Sequence, residues 1–497
     1  MRKNFLVINT YSSLAYQAVT VACGFILPRL ILVQYGSAVN GLVNSIIQFL
    51  GVITYLDFGI TAVVQSALYK PLAEKNMNEV SQIIASAGNF FRRIAYALII
   101  YICILIYMFP NIINADFSST YMGILIVAIS INLFANYYFG LKNQLLIAAD
   151  QKIYITYLVQ IFTLIVNTLL CAILIECDMS IQFVYSATAT IFLIRPLYYW
   201  MYVNQHYQLK KKIKLTVEPI KQKWNGIAQH IAAVVIGGTD SIVLTLFSTL
   251  ENVSIYAVYY LVINGLVKLF VSSTTGFQSH YGMLWAEHRI GELLKSFNRF
   301  VWGIHTGVIF IFGCTSILIV PFVKVYTNNI TDTNYDVPLF AVFITLAFAM
   351  YCIRLPFHLM VLAGNRYKAT QTSYIITAAI NILLSVLLVK KYGIVGVAIG
   401  TLVSMVYHTV WLAFYNSRHL IKWPLKKFKK RILVDCISCI PLFELIGFFE
   451  LTELSYLAWI FLAVKVACIW GLWIVIVNVF FYPGICVAIW RKIKFIF

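Results

Sequence analysis

Two stretches of the sequence repeat each other: "VVQSALYKPLAEKNMNEV" at 63–80 and "GFQSHYGMLWAEHRIGEL" at 276–293. Aligned without a gap, they share five identities 213 residues apart, namely Gln65 with Gln278, Ser66 with Ser279, Ala73 with Ala286, Glu74 with Glu287 and Glu79 with Glu292. A second pair, "LIVNTLLCAILI" (164–175) and "AAINILLSVLLV" (378–389), keeps nearly the same spacing and aligns Asn167 with Asn381. These repeated segments indicate a tandem duplication.

The composition assigns the class of protein. Of the 497 residues, 61% are hydrophobic and 11% are charged, whereas soluble domains have about 45–50% apolar and about 25% charged residues. A helix needs about 20 mostly apolar residues to cross a bilayer. Fourteen stretches meet that rule, near 5–33, 41–68, 90–110, 121–147, 153–175, 181–203, 224–248, 253–282, 300–322, 337–363, 370–389, 394–415, 432–449 and 457–482. The sequence therefore predicts an all-α polytopic membrane protein with about 14 transmembrane helices.

The duplication divides these spans into two parallel six-helix repeats. We expect an N-terminal lobe at 1–203, a basic cytoplasmic linker at 204–223 and a C-terminal lobe at 224–415. Residues 416–497 then supply a second basic linker and two extra transmembrane helices. Because six is even, both repeats enter the membrane with the same orientation, which is an arrangement found in transporters. The repeated "AE-x4-E" segments are interpreted as short interfacial helices.

The positive charge follows the membrane topology. The net charge is +19, and most of the 37 Lys and Arg residues lie between apolar stretches on one side. The positive-inside rule then places both termini in the cytoplasm, and no basic domain stands apart to bind nucleic acid. The basic, then apolar, N-terminus is interpreted as the first membrane helix because its apolar stretch exceeds that of a signal peptide. The "CISC" at 436–439 has no second Cys pair, so we expect core cysteines, no metal and no cofactor.

Ionisable residues inside the spans are the candidate functional groups, since each costs about 2.5–3.5 kcal/mol at a helix centre. The cations are Arg29, Lys142, Arg195, Lys268, Arg354 and Lys465, and the acids are Asp57, Asp240 and Glu444. We expect most of them to face protein or a water-filled cavity. The excess of cations favours an anionic cargo over a cationic drug.

Four cations are predicted to bind the substrate in a cavity between the lobes: Arg29, Arg195, Lys268 and Arg354. Arg195 and Arg354 each lie just before a proline and could instead cap broken helices. Arg29 either meets the anionic substrate or pairs with Asp240, which the tandem alignment places at a similar depth. Asp57 and Asp240 are candidates for a coupling ion, H⁺ or Na⁺, and Asp57 alternatively satisfies helix packing. Lys142 and Lys465 alternatively extend to the membrane interface.

Three segments carry a family resemblance: "YLDFGI" (55–60), "LAEKNMNEV" (72–80) and 362–404, which contains "KYGIVGVAIGT". With the helix count and duplication, they resemble the polysaccharide-transporter (Wzx-type oligosaccharide flippase) branch of the multidrug/oligosaccharidyl-lipid/polysaccharide (MOP) exporter superfamily. The resemblance implies a flippase that moves undecaprenyl-pyrophosphate-linked oligosaccharide repeat units across the bacterial cytoplasmic (inner) membrane by alternating access. Such units build O-antigen, capsule or exopolysaccharide, and cationic residues would meet the pyrophosphate.

Other functions remain open at this stage. A lipid-linked peptidoglycan precursor flippase or a multidrug antiporter of the same superfamily is the main alternative, and a scaffold for glycan assembly is another. An enzyme is not expected, because the sequence has no P-loop, no D-x-D and no long periplasmic loop. The partners implied are the polyprenyl-pyrophosphate-linked oligosaccharide, membrane lipids, H⁺ or Na⁺, and a polysaccharide polymerase.

Overall fold

The computed structural model describes residues 2–57, 60–113, 117–210, 238–442 and 453–487, together with Glu444, Phe449 and Leu451. Its helices are α1 (Arg2–Gly51), α2 (Ile60–Ala73), α3 (Met77–Ile112), α4 (Ser119–Ala135), α5 (Leu141–Ala149), α6 (Ile153–Glu176), α7 (Ile181–His206), α8 (Gly238–Phe247), α9 (Leu250–Ala286), α10 (Ile290–Tyr326), α11 (Pro338–Ala363), α12 (Tyr367–Tyr415), α13 (Leu425–Cys439) and α14 (Tyr456–Phe481). A 3₁₀ turn, Val52–Asp57, follows α1. The π turns Asn136–Gly140 and Asn416–Leu420 follow α4 and α12. The described chain is thus built from helices and their connecting turns.

These helices have the character of membrane spans. Within the described residues, nine helical segments are long and apolar enough to cross a bilayer. Large apolar side chains cover their outer faces, with Leu169 60%, Leu387 70% and Phe461 68% exposed. Apolar surface on this scale has to be covered by lipid or protein. The chain is a multi-pass membrane protein.

The two longest helices each correspond to two consecutive spans. Helix α1 has 50 residues and α12 has 49, which is about 75 Å of helix against a hydrocarbon layer of about 30 Å. Each contains a glycine in a non-helical conformation, Gly36 (φ 82°) and Gly393 (φ 54°). Positive φ is readily adopted only by glycine. A one-residue kink therefore replaces a loop, which explains how nine segments contain more than nine predicted crossings. The predicted span 41–68 is itself interrupted by the turn Val52–Asp57.

The backbone repeats with the same spacing as the sequence. Lys75 (φ 56°) and His288 (φ 55°) end one helix in each half of the chain. Gln151 (φ 61°) and Asn365 (φ 52°) also end one helix in each half, at the next such turn along the chain. Non-glycine residues adopt this conformation uncommonly. Its recurrence at matching positions supports the interpretation of a tandem duplication.

The repeated "AE-x4-E" segment marks a tight turn between two long helices. In the first copy, the Oδ1 atom of Asn76 accepts the backbone N–H of Glu79, and the Asn76 side-chain amide donates to the Glu79 carboxylate. Asn76 is therefore the N-cap of α3, and its side chain holds Glu79 through a second hydrogen bond. In the second copy, Arg289 bonds to the carboxylates of Glu287 and Glu292 around the start of α10. The repeated segment thus contains the end of one helix, a turn and the start of the next helix, and its position at the membrane interface stays a prediction.

The chain divides into two compact units, residues 1–234 with 249–254 and residues 235–248 with 255–497. The first unit contains α1 to α7, and the second contains α8, most of α9 and the remaining helices. In the second unit α14 packs closely on α10, since a Cβ atom on Gly313 would lie 2.4 Å from the Trp470 Nε1 atom.

Some of the predicted boundaries fall outside the described residues. The basic linker from residue 211 onward, the first part of the predicted span 224–248 and the basic tail 488–497 lie outside them, as does most of the second half of the predicted span 432–449. The boundaries 203, 224 and 415 therefore stay predictions.

Candidate transport site

The first unit contains a cavity of about 460 Å³ between α1, α4, α5, α6 and α7. Its polar lining comprises Asn132, Asn136, Gln144, Gln160, Thr188 and Arg195. The rest of the wall is formed by the aromatic rings of Tyr185, Phe192 and Tyr199 and by small or aliphatic residues, most of them on α1 and α4. Among the described residues that line it, none is an Asp or Glu. The volume falls in the range of about 300–1,000 Å³ typical of ligand sites, and the lining is cationic and rich in amides.

Arg195 supplies the positive charge of this cavity. Its Nε atom donates to the Thr163 hydroxyl at 2.7 Å, and its Nη2 atom lies 3.5 Å from the Gln160 backbone oxygen. The guanidinium carbon is 4.2 Å from the centre of the Phe192 ring. In the described part of the chain, no carboxylate forms a salt bridge with Arg195. A guanidinium held by neutral partners keeps its charge for an anionic ligand.

Helix irregularities shape the wall around Arg195. Pro196 follows it directly within α7, and a proline cannot donate the hydrogen bond to the carbonyl four residues earlier. Opposite it lies the π turn Asn136–Gly140, where a Cβ atom on Gly140 would come within 2.9 Å of Pro196. Such π turns occur frequently at functional sites. Helix α7 nevertheless runs unbroken past Arg195, so this residue does not cap a broken helix, and the same holds for Arg354 in α11.

The second unit contains a buried carboxylate, Asp240, surrounded by oxygen and amide groups. Tyr256 and Thr401 donate their hydroxyls to its Oδ2 atom at 3.1 and 2.7 Å, and the Asn381 amide is 3.4 Å from Oδ1. Thr239 in turn donates to the Asn381 carbonyl oxygen at 2.8 Å. The Asp240 residue is 4% exposed. This cluster joins α8, α9 and both halves of α12.

The hydrogen bonds of the Asp240 cluster do not use every oxygen lone pair around Thr401. The Thr401 hydroxyl lies within hydrogen-bond distance of both Asp240 and the Val397 carbonyl, yet a hydroxyl has only one proton to donate. One of these oxygens thus has capacity for another partner, and carboxylate, carbonyl and hydroxyl oxygens are ligands for hard cations. No three His, Cys, Asp or Glu side chains come together in the described residues.

The other predicted residues lie elsewhere in the two units. Arg29 is half-buried on α1, and Lys268 is exposed on α9. Arg354 is buried on α11, with 5% of its surface exposed. Asp57 ends the 3₁₀ turn and accepts a hydrogen bond from the Thr61 hydroxyl at 3.2 Å. Arg195 is thus the predicted cation that lines the cavity of the first unit, while the inter-lobe cavity and the Arg29–Asp240 pair stay predictions.

Sequence reasoning missed the neutral polar groups of both units. The amides Asn132 and Asn136 lie four residues apart in an apolar stretch, a spacing that places them on one helical face. His358 and His408 in the second unit also lie within apolar stretches. A search limited to Lys, Arg, Asp and Glu passes over such residues, and a search for all polar side chains inside spans would find them.

No family model matches the sequence, and no curated protein matches it. Solved structures do match. The lipid II flippase MurJ in an inward closed conformation aligns with a TM-score of 0.68 and 16% identity, over 96% of this chain and all of that one.

Two multidrug transporters of the MATE family are also similar. An inward-facing transporter described as a member of the MOP superfamily has a TM-score of 0.60 and 12% identity, over 81% of this chain and 95% of that one. The Vibrio cholerae transporter VcmN in its bent form has a TM-score of 0.53 and 14% identity, over 87% of this chain and 96% of that one. The chain has the fold of these transporters.

Proposed function

We propose that the chain is a flippase that translocates undecaprenyl-pyrophosphate-linked oligosaccharide repeat units across the bacterial cytoplasmic membrane by alternating access. Both termini would lie in the cytoplasm, and the cargo would be an O-antigen, capsule or exopolysaccharide unit taken up afterwards by a polysaccharide polymerase. The fold shared with a lipid II flippase and with exporters supports a transport function.

The observation that carries the proposal is the cationic, amide-lined cavity of the first unit. A pyrophosphate needs a positive group, and the partners of the Arg195 guanidinium within the described residues are neutral. Sugar hydroxyls need groups that both donate and accept, and the side-chain amides of Gln144 and Gln160 do both. In this proposal Arg29, Lys268 and Arg354 assist Arg195 in other states of the transport cycle.

Two related functions make different demands on the same cavity. A lipid-linked peptidoglycan precursor also carries a pyrophosphate and sugars, so the cavity suits it equally, and the similarity to MurJ favours it as the second candidate. A cationic drug would need an acidic cavity, and the described lining of this one has no carboxylate. The transported headgroup is therefore anionic in both favoured functions.

The Asp240 cluster supplies a coupling site within this proposal. Binding of Na⁺ or H⁺ among Asp240, Asn381 and Thr401 would cancel a buried negative charge. Because the cluster ties α8 to both halves of α12, its occupancy would bias the arrangement of these helices. Coupling then means that the ion and the cargo favour different arrangements.

The primary test is a lipid extraction from a strain that lacks this chain. Complete polyprenyl-linked repeat units, protected from a periplasmic glycosidase, are the result expected of the proposed flippase. Accumulated peptidoglycan precursor would transfer the proposal to the second candidate. Truncated units would indicate an assembly enzyme, and normal lipids with normal surface glycan would contradict a flippase of either kind.

Complementation of the same strain tests the cavity. Arg195→Ala and Arg195→Glu should lower glycan export while the protein remains folded in the membrane, and Arg195→Lys should retain part of it. The loss expected for Ala is about 10- to 100-fold, since a hydrogen bond to a charged group contributes about 1.5–3 kcal/mol. Arg289→Ala is the matched control, because this exposed arginine pairs with glutamates at a turn. Full export by Arg195→Glu would show that the cargo does not pass through this cavity.

A further inference from the structure

A buried arginine without an acidic partner lies in the core of the second unit. The Nη1 atom of Arg354 is 2.9 Å from the Nδ1 atom of His408, and its guanidinium carbon is 4.5 Å from the centre of the Tyr351 ring. No carboxylate in the described part of the chain forms a salt bridge with it. Its Nε atom is buried without a hydrogen-bond partner in the described residues. The charge of Arg354 is therefore held chiefly by one imidazole and one aromatic face.

This geometry fixes the protonation state of His408. A guanidinium carries only N–H donors and does not lose its proton in proteins. The Nδ1 atom of His408 must consequently accept the hydrogen bond, so the imidazole is neutral and its proton resides on Nε2. That Nε2 atom is buried and has no partner in the described residues. A second proton can be added only at Nδ1, which is the atom that faces Arg354.

The groups around His408 offer no negative charge to stabilise an imidazolium. From α11 it is faced by Arg354 and His358, and from the first half of α12 by Tyr374. The ring of Tyr374 meets the ring of His408 nearly at right angles, with centroids 4.3 Å apart. The Tyr374 hydroxyl is hydrogen-bonded to His358. Of the acids described in this unit, Asp240 is bound by Tyr256, Asn381 and Thr401, and Asp435 is bound by His305.

We propose that His408 is a proton-binding site, and that its protonation expels Arg354 from its place between α11 and α12. A proton on Nδ1 removes the acceptor of the Arg354 hydrogen bond and places two cations in contact. Like charges within 3 Å in a low-dielectric interior repel strongly. The bond between the helices is therefore replaced by repulsion, and Arg354 becomes available to an anion or to water. This inference goes beyond the proposed function, because it requires no particular cargo.

The consequence is a helix contact that opens as the pH falls. Both α11 and the second half of α12 present fully or nearly fully buried residues at this place, including Cys352 and Thr409. The Thr409 hydroxyl also reaches the Met350 backbone oxygen at 3.0 Å. Opening the contact would expose backbone amides of 350–358 and 404–412 that are otherwise protected. One proton bound per opening changes the ratio of open to closed forms by at most about tenfold per pH unit.

Hydrogen–deuterium exchange on the purified full-length chain in lipid nanodiscs measures this opening. Exchange of segments 350–358 and 404–412, corrected for the intrinsic pH dependence, should rise several-fold between pH 8 and pH 5 in the wild type. His408→Gln keeps a side-chain oxygen that can accept from Arg354 but cannot titrate, so its corrected exchange should not change with pH. His408→Arg carries a charge that proteins do not remove, so it should show the open pattern already at pH 8.

Three further variants keep the proposal falsifiable. Arg354→Gln removes the repelled cation and should abolish the pH response, even if His408→Gln fails to fold. His305→Gln is the control, because His305 is equally buried in the same unit but is bonded to the carboxylate of Asp435; it should retain the wild-type response. Two results would overturn the assignment. The first is a pH response that survives in His408→Gln. The second is a pH response that His408→Gln retains and His358→Gln loses. All of these readouts are independent of cargo, so glycan export and this proton site can fail separately.

Discussion

The two units use equivalent positions of the duplication in opposite ways. Gln160 and Tyr374 lie 214 residues apart, which is the spacing of Asn167 and Asn381, and His408 lies one residue from the position that this spacing gives for Arg195. In the first unit, Arg195 and Gln160 line an open cavity. In the second, the ring of Tyr374 packs against His408, and both residues are almost completely buried. Arg354 from α11 completes that core.

This difference shows which features of the two copies have been kept since the duplication and which have changed. Each copy retains its kinks and turns, such as the positive φ of Lys75 and His288, because the backbone path depends on them. The interior between the helices has diverged instead. A short amide in the first unit leaves space for a ligand, whereas a tyrosine and an arginine fill the corresponding region of the second. In the functions proposed above, the first unit binds the cargo and the second unit responds to ions.

Filling the first cavity in the manner of the second should have the largest effect. Gln160→Tyr places a large ring in the 460 Å³ space, and we expect glycan export to fall below about a tenth of the wild-type level, since 1.4 kcal/mol is already a factor of ten. Leu158→Tyr is the control, because Leu158 is an exposed residue on the same helix. Export assays on variants matched for membrane abundance measure the difference. Normal export by Gln160→Tyr would mean that the cargo does not pass through this cavity.

Removing the acid of the second unit should have the next largest effect. Asp240→Asn keeps acceptor capacity for Thr401 and Tyr256 but loses the charge that holds a cation. Ligands that bind the folded state raise the unfolding temperature, so Na⁺ or H⁺ should stabilise the wild type and not the variant. Thermal unfolding at graded Na⁺ and pH measures this, with Asp435→Asn as the control acid in the same unit. An ion response of undiminished size in Asp240→Asn would exclude Asp240 as the coupling site.

The extra helices of the second unit provide a third and smaller contrast. A Cβ atom on Gly313 would lie 2.4 Å from the Trp470 indole, which also donates to the Ile309 backbone oxygen. Gly313→Ala should therefore cost about 1–3 kcal/mol through overpacking between α10 and α14. On the same helix, nothing lies within 4 Å of a Cβ atom built on Gly303, so Gly303→Ala should be neutral or stabilise by up to about 1 kcal/mol. Equal melting temperatures for the two variants would refute this close packing.

Sequence patterns predicted the class of fold and part of the candidate site. Runs of apolar residues near 153–175 and 457–482 agree with α6 and α14 because burial in lipid needs a fixed length of apolar helix. Arg195 was found because an arginine is costly in such a run. Both predictions depend on local properties of the sequence, namely hydropathy and charge, and not on contacts with distant segments.

The remaining features depend on contacts between distant segments. The residues around Gly393 do not predict that α12 continues through this glycine without a loop. The amides at Asn132 and Gln160 become a lining only when α4 and α6 face the same space. Likewise, His408 becomes informative only because Arg354, 54 residues earlier, donates to it. Pairwise geometry of this kind is set by packing, which a single sequence does not display.

The smallest expected effect concerns backbone strain, which we compare at equivalent turns of the two copies. Gln151 and Asn365 occupy equivalent turns with φ of 61° and 52°. The left-handed conformation costs an ordinary residue about 1–2 kcal/mol, whereas asparagine tolerates it better, and glycine has a small entropic cost of its own. Gln151→Gly should therefore stabilise the first unit by up to about 1 kcal/mol, and Asn365→Gly should change the second by only a few tenths. Unfolding midpoints of the two variants in the same detergent measure this. A larger gain from Asn365→Gly would show that the second turn, rather than the first, carries the strain.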